Sequence, residues 1–96
     1  MFGQHYFVYM VRCADGTLYT GVAADPDGTA AAMNRGDGPA YAVARTPVFL
    51  SFREEYMNER DAERRAQAIR RMSRAEKEQV LAMANPVLLD EYAYGV

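Results

Sequence analysis

Ninety-six residues, half of them hydrophobic and a quarter charged, with a net charge of −2, describe one small globular domain. That balance excludes a disordered, collagenous or mucin-like chain, and a single cysteine, Cys13, excludes an internal disulfide framework. No apolar run approaches the roughly 20 residues that span a bilayer, and Gln4, His5 and Arg12 interrupt the N-terminus before it can read as a signal peptide. A cytoplasmic protein without a membrane partner is the expectation.

His5 to Cys13 is dense in aromatic and β-branched residues and apolar on both alternating faces. This predicts a strand covered on both sides, near the middle of a sheet. Asp15-Gly16 between apolar runs marks a hairpin, and a second strand follows from about Leu18 to Val22. Asp25-Pro26 supplies an N-cap and a first-turn proline for a short helix reaching about Met33. Gly28 weakens that helix by about 1 kcal/mol relative to alanine. Arg35 to Pro39 reads as a glycine-rich loop, and Val48 to Tyr56 alternates as a third strand. A longer helix capped near Asn58 carries Ala62, Ala66, Ile69 and Met72 at helical spacing. Ser73 and Glu76 form a capping box for a further helix that reaches about Ala84, before Pro86.

The expected order is β-β-α-β-α-α, an α+β domain over residues 1–84 in which helices flank a three-stranded antiparallel sheet. The tail, residues 85–96, carries Val87, Leu88, Leu89, Tyr92 and Tyr94. Those side chains suit packing on the domain itself, on a protein partner or on a second copy.

Ten of the eleven basic residues are arginine, and Arg60, Arg64, Arg65, Arg70, Arg71 and Arg74 fall in one short stretch. Guanidinium groups bind phosphate bidentately, so such a helix can be a nucleic-acid footprint. From charge alone a solvated helix face, partnered by Glu59, Asp61 and Glu63, is the simpler reading. Other chemistries are poorly supplied. His5 is the sole histidine, one cysteine and one histidine cannot make a zinc site, and no phosphate-cradling glycine motif is present.

Three blocks stand in order: Val8-Tyr9-Met10 with Tyr19-Thr20-Gly21; Tyr41 with Ala44-Arg45-Thr46-Pro47-Val48; and Ile69-Arg70-Arg71-Met72-Ser73-Arg74-Ala75-Glu76-Lys77. Over about residues 6 to 80 they resemble a GIY-YIG nuclease domain, best the small stand-alone bacterial members. The resemblance implies that Tyr9 and Tyr19 line one site and share a sheet face. A two-residue turn at Asp15-Gly16 would set them on opposite faces. A three-residue loop, Ala14 to Gly16 with a left-handed glycine, aligns them and is the expectation.

In active members of that family a tyrosine helps to activate the nucleophile, and a helix arginine stabilises charge on the phosphoryl group. A histidine one turn later assists, and a glutamate on a later helix holds a divalent metal. Carried onto this chain, the arginine position falls on Thr29, the histidine position on Met33 and the glutamate position on Ala66. None of the three can do that chemistry. Glu63 for a metal and Arg35 for a phosphate are the substitutes at hand, and efficient cleavage would need both to act in concert.

The resemblance therefore implies a GIY-YIG-like protein that has lost cleavage, keeps nucleic acid (DNA before RNA) and needs no cofactor. Tyr9 and Tyr19 would contact the strand, with Arg12, Arg35, Arg45, Arg64, Arg65, Arg70 and Arg71 supplying charge. One alternative is a nuclease using Mg²⁺ or Mn²⁺ through displaced ligands. The other is a protein-interaction module with no nucleic-acid role.

Overall fold

The computed structural model describes residues 5–84; the tail and the packing expected of it lie outside the described residues. The hairpin comes first, from β1 (Tyr6–Arg12) and β2 (Leu18–Ala23). Its register pairs Tyr9 with Gly21 and Val11 with Tyr19. The Cys13 N–H donates to the Thr17 carbonyl at 2.8 Å, and the Gly16 N–H to the Cys13 carbonyl at 2.9 Å. Gly16 has a φ of 86°, which glycine adopts without strain. The loop is therefore the three-residue Ala14–Gly16 turn, and Tyr9 and Tyr19 share a face as that loop requires.

Next come α1 (Pro26–Asn34), α2 (Ala40–Val43), β3 (Phe49–Tyr56), α3 (Glu59–Arg70) and α4 (Arg74–Ala84). Local signals set most of these boundaries. The Asp25 side chain accepts from the Gly28 N–H, and the Asn58 side chain from the Asp61 N–H. Ser73 and Glu76 exchange reciprocal hydrogen bonds at 2.8 and 3.1 Å, the capping box expected from the sequence. The one-turn helix α2 corrects the expected element order to β-β-α-α-β-α-α. Pro39 is its N-cap, and the backbone φ of −59° there is the one the proline ring imposes.

The sheet is antiparallel with order β2-β1-β3, so β1 is central. Each of its faces meets a separate core cluster. Val8, Met10 and Phe52 pack with Ala62, Ala66 and Ile69 of α3 and with Leu81 of α4. On the other face Tyr9 and Val11 pack with Ala30 and Met33 of α1, Ala42 of α2 and Val48. This is why β1 lacks a polar side. Fully buried Met10, Met33 and Ile69 each contribute about 2 kcal/mol of apolar burial. The Asn34 amide ties the end of α1 to the start of β3, donating to the Val48 carbonyl and accepting its N–H. Among the described residues no helix is long and apolar enough to cross a membrane.

The arrangement leaves β2 at an edge of the sheet. The α1–α2 layer lies on one side of that edge and the α3–α4 junction on the other. The expected site falls there.

Candidate functional site

Tyr9 is 3% exposed. Its ring crosses the cross-strand neighbour Gly21, where a Cβ would lie 2.6 Å from the phenol oxygen and 2.8 Å from Cζ. The glycine thus lets the phenol reach toward the β2 edge. The centroids of Tyr9 and Tyr19 are 6.4 Å apart with a 46° tilt, and Tyr19 stacks on Tyr41 of α2 at 6.2 Å and 26°. The Arg45 guanidinium covers the Tyr41 ring at 3.7 Å, a cation–π contact worth about 1 kcal/mol. It is held by the Asp15 carboxylate at 3.1 Å and the Tyr41 carbonyl at 3.0 Å.

Burial pushes the Tyr9 phenol up to about 12, with Tyr19 adding to the shift and Arg70 opposing it. At neutral pH Tyr9 is a neutral phenol and a poor base.

The opposite wall is cationic. The Arg70 Nε at the end of α3 donates to the Thr20 carbonyl at 3.3 Å, and Arg74 of α4 donates to the Gly16 carbonyl at 3.1 Å. Lys77 stands one turn further and makes no ion pair among the described residues. Between the walls lies an open pocket of about 370 Å³, lined by Leu18, Tyr19, Thr20, Tyr41, Arg70 and Lys77. A neighbouring pocket of about 190 Å³ shares Leu18, Tyr41 and Lys77 and adds Thr17 and Arg74. Together they form a groove along the free edge of β2.

Of the residues singled out in the sequence, Tyr19 and Arg70 line the groove, while Tyr9 and Arg45 pack against its lining tyrosines. Arg12 does not serve the groove, because it is a brace. Its two terminal nitrogens grip the Glu78 carboxylate at 2.5 and 2.8 Å, and one also reaches the Gly16 carbonyl at 3.2 Å. Arg65 is tied to Glu54 of β3 at 2.9 Å, and Arg64 lies in the same region beside Tyr56, Asp61 and Ala68. Arg35 is exposed at the C-terminal cap of α1, and Arg71 is exposed just beyond α3. Tyr41, Lys77 and Gly21 join the site although they were not among the expected contact residues, and Arg74 joins it from the arginine-rich stretch. For two of them a signal existed, since Arg74 and Lys77 are three apart and so share a helix face.

Thr29 is half-buried on α1, while Met33 and Ala66 are fully buried in opposite core clusters. A Cβ at Gly38 would come within 3.1 Å of the Met33 side chain, so that methionine seals the space between α1 and the following loop. Glu63 directs a carboxylate oxygen to Arg70 at 4.0 Å, and His5 pairs with Glu55 of β3. Among the described residues no three His, Cys, Asp or Glu side chains gather where they could hold a metal. At the position where the GIY-YIG resemblance implies a metal-holding glutamate stands Ala66, which has no donor atom and no exposed surface.

Fold and groove together define a small α+β protein with a tyrosine-lined, basic cleft at a sheet edge. No family model matches the chain. It is 44% identical over 71 residues to a UPF0213 protein of Halobacterium salinarum, spanning 74% of this chain and 92% of that protein. It is 40% identical over 72 residues to a UPF0213 protein of Staphylococcus aureus, spanning 75% and 88%. The solution NMR structure of a UPF0213 protein from Bacillus halodurans matches with a TM-score of 0.57 at 28% identity, covering 86% of this chain and 89% of that one. The chain belongs to the UPF0213 family.

Proposed function

We propose that this UPF0213 protein binds nucleic acid along the β2 edge and does not cut it. The observation that carries this reading is the convergence of Tyr19 and Tyr41 with Arg70, Arg74 and Lys77, drawn from four elements onto one groove, with Tyr9 and Arg45 packed against the two lining rings. The chain as a whole carries a net charge of −2 and repels a polyanion, so attraction concentrates at that groove. DNA is preferred to RNA on the GIY-YIG resemblance alone.

Cleavage of a phosphodiester needs fixed positive charge at the phosphoryl group and an activated nucleophile. Thr29, Met33 and Ala66 supply neither, two of them are sealed in the core, and Tyr9 holds its proton until about pH 12. Glu63 and Arg35 do not repair this, because Glu63 faces Arg70 and Arg35 stands outside the groove.

The test is fluorescence anisotropy with labelled single- and double-stranded oligonucleotides over a range of salt, beside incubation of the same DNA with Mg²⁺ or Mn²⁺. Three or so neutralised phosphates give a log–log salt slope of about −2 to −3, and the DNA stays intact. Salt-independent retention or none at all contradicts nucleic-acid binding. Metal-dependent nicking that Tyr9→Phe abolishes would restore the nuclease reading.

A further inference from the structure

The groove occupies one edge of the sheet, and β3 is the other. Its outer side meets no further strand among the described residues. We infer that this edge is a self-association surface, on which β3 of a second copy pairs antiparallel about a two-fold axis.

The backbone fixes which groups are on offer. The Cys13 N–H donates to the Thr17 carbonyl, so the alternate β1 residues Val11, Tyr9 and Phe7 turn their backbone groups to β2. Met10, Val8 and Tyr6 then turn theirs to β3, where they face Phe52, Glu54 and Tyr56. The backbone groups of Arg53 and Glu55 are left pointing outward. Further along, the irregularity opposite Met10 and Val11 leaves Ser51 out of step and ends the regular edge.

Charge selects the register. In a two-fold antiparallel pair, the hydrogen-bonded positions are outward-facing residues on both copies. Arg53 can face Arg53, Glu55 can face Glu55, or each can face the other. Like charges directly opposite destabilise a sheet and opposite charges stabilise it. Arg53 of one copy therefore faces Glu55 of the second, twice by symmetry. Charge on an edge strand commonly guards it against a second copy; here the two outward positions differ in sign and are self-complementary. Each also keeps a partner within the chain, Arg53 at 2.7 Å from Asp27 and Glu55 beside His5, so the pairs extend into alternating rows. Glu54 meets its own copy on the axis, with Arg65 at 2.9 Å beside each carboxylate.

The same register supplies a contact that charge did not choose. Met57, one residue past β3, is 73% exposed. It comes opposite Ser51 of the second copy, at a pocket of about 300 Å³ lined by Leu50, Ser51, Phe52, Arg53 and Ala84. A flexible thioether suits such an irregular gap. The joined sheet keeps both β2 edges outermost, so both grooves stay open.

The test is sedimentation equilibrium of the full chain without nucleic acid, from about 10 μM to about 1 mM, since a small interface predicts a dissociation constant on the order of 100 μM. Arg53→Glu and Glu55→Arg should each weaken the dimer about tenfold or more. Their melting temperatures should stay near wild type, because the pairs they break within the chain are exposed. An equimolar mixture of the two variants should regain association, and so should one chain carrying both changes, because each restores opposite charges across the axis. Met57→Ser, outside the strand, should weaken the dimer about tenfold by lost apolar burial. Hydrogen exchange identifies the occupant: the Arg53 and Glu55 amides should gain protection as protein concentration rises. A monomer at every concentration or a mixture that recovers nothing overturns the inference. So does protection that ignores concentration, the result if residues 85–96 of the same chain cover the edge.

Discussion

Tyr9 lies across Gly21. The two are cross-strand partners, and a methyl group on the glycine would come within 2.6 Å of the phenol oxygen. A rigid ring cannot yield as a flexible chain end can, so Gly21→Ala must displace Tyr9 or bend β2. The expected cost is about 1–3 kcal/mol, the range for overpacking a well-filled site. In a Tyr9→Ala background the same substitution should cost clearly less, because the clash is gone. Chemical denaturation of the four proteins in a double-mutant cycle measures that coupling. Additive effects would show that the ring does not rest on the glycine.

The Tyr9 phenol, held at about 12 mainly by burial, gives stability a dependence on alkaline pH. Below pH 10 it is neutral in both folded and unfolded chains and contributes no slope. Between 10 and 12 the unfolded chain loses this proton first, so stability falls as pH rises. Two pH units correspond to about 3 kcal/mol. Tyr56 is also shifted up by burial and by its hydrogen bond to Glu54, and adds to the same trend. Denaturation at stepped pH should show a shallower alkaline loss for Tyr9→Phe than for the wild type. Equal loss would mean that Tyr9 titrates normally.

Arg12 and Glu78 join the hairpin to α4 through a two-pronged ion pair. Arg12→Ala and Glu78→Gln should each cost about 1 kcal/mol, at the upper end for a partly exposed pair with good geometry. The Arg12 contact draws the Glu78 carboxyl below its ordinary range. Its contribution is therefore present above the unfolded carboxyl pKa and lost as pH falls through the folded one. Arg12→Ala should leave oligonucleotide affinity within about twofold, since its charge is already engaged. A large affinity loss with an unchanged melt would return Arg12 to the interface.

How much of this could be read in the chain depends on range. The apolar run of β1, the Asp15-Gly16 turn, the Asn58 cap and the Ser73–Glu76 box act over a few residues, and each appears in the structure as its local chemistry dictates. The short helix α2 escapes because it depends on Pro39 and on Ala42 packing into the core, a tertiary event. Counting arginines cannot separate Arg12, gripped by a glutamate 66 positions later, from Arg70, which faces the groove. The same distance effect hides the Tyr19–Tyr41 stack.

Ala66 lies under α3 with no exposed surface, against Val8 and Met10. Ala66→Glu would force a carboxyl into that core and should cost about 3 kcal/mol or more. Paired with Thr29→Arg, it should still leave plasmid intact in Mg²⁺ or Mn²⁺, because Met33 continues to fill its part of the core. Nicking by the double variant at appreciable rate would mean that the cleft retains working geometry. Gel electrophoresis of supercoiled plasmid reads this directly.

The central claim concerns place as much as affinity, and a titration of isotope-labelled protein with a short oligonucleotide, followed by amide NMR shifts, tests both at once. The account expects salt-sensitive shifts at residues 17–21, 41–45 and 70–77. Shifts confined to Tyr56, Arg64 and Arg65, or none at low salt, would contradict it.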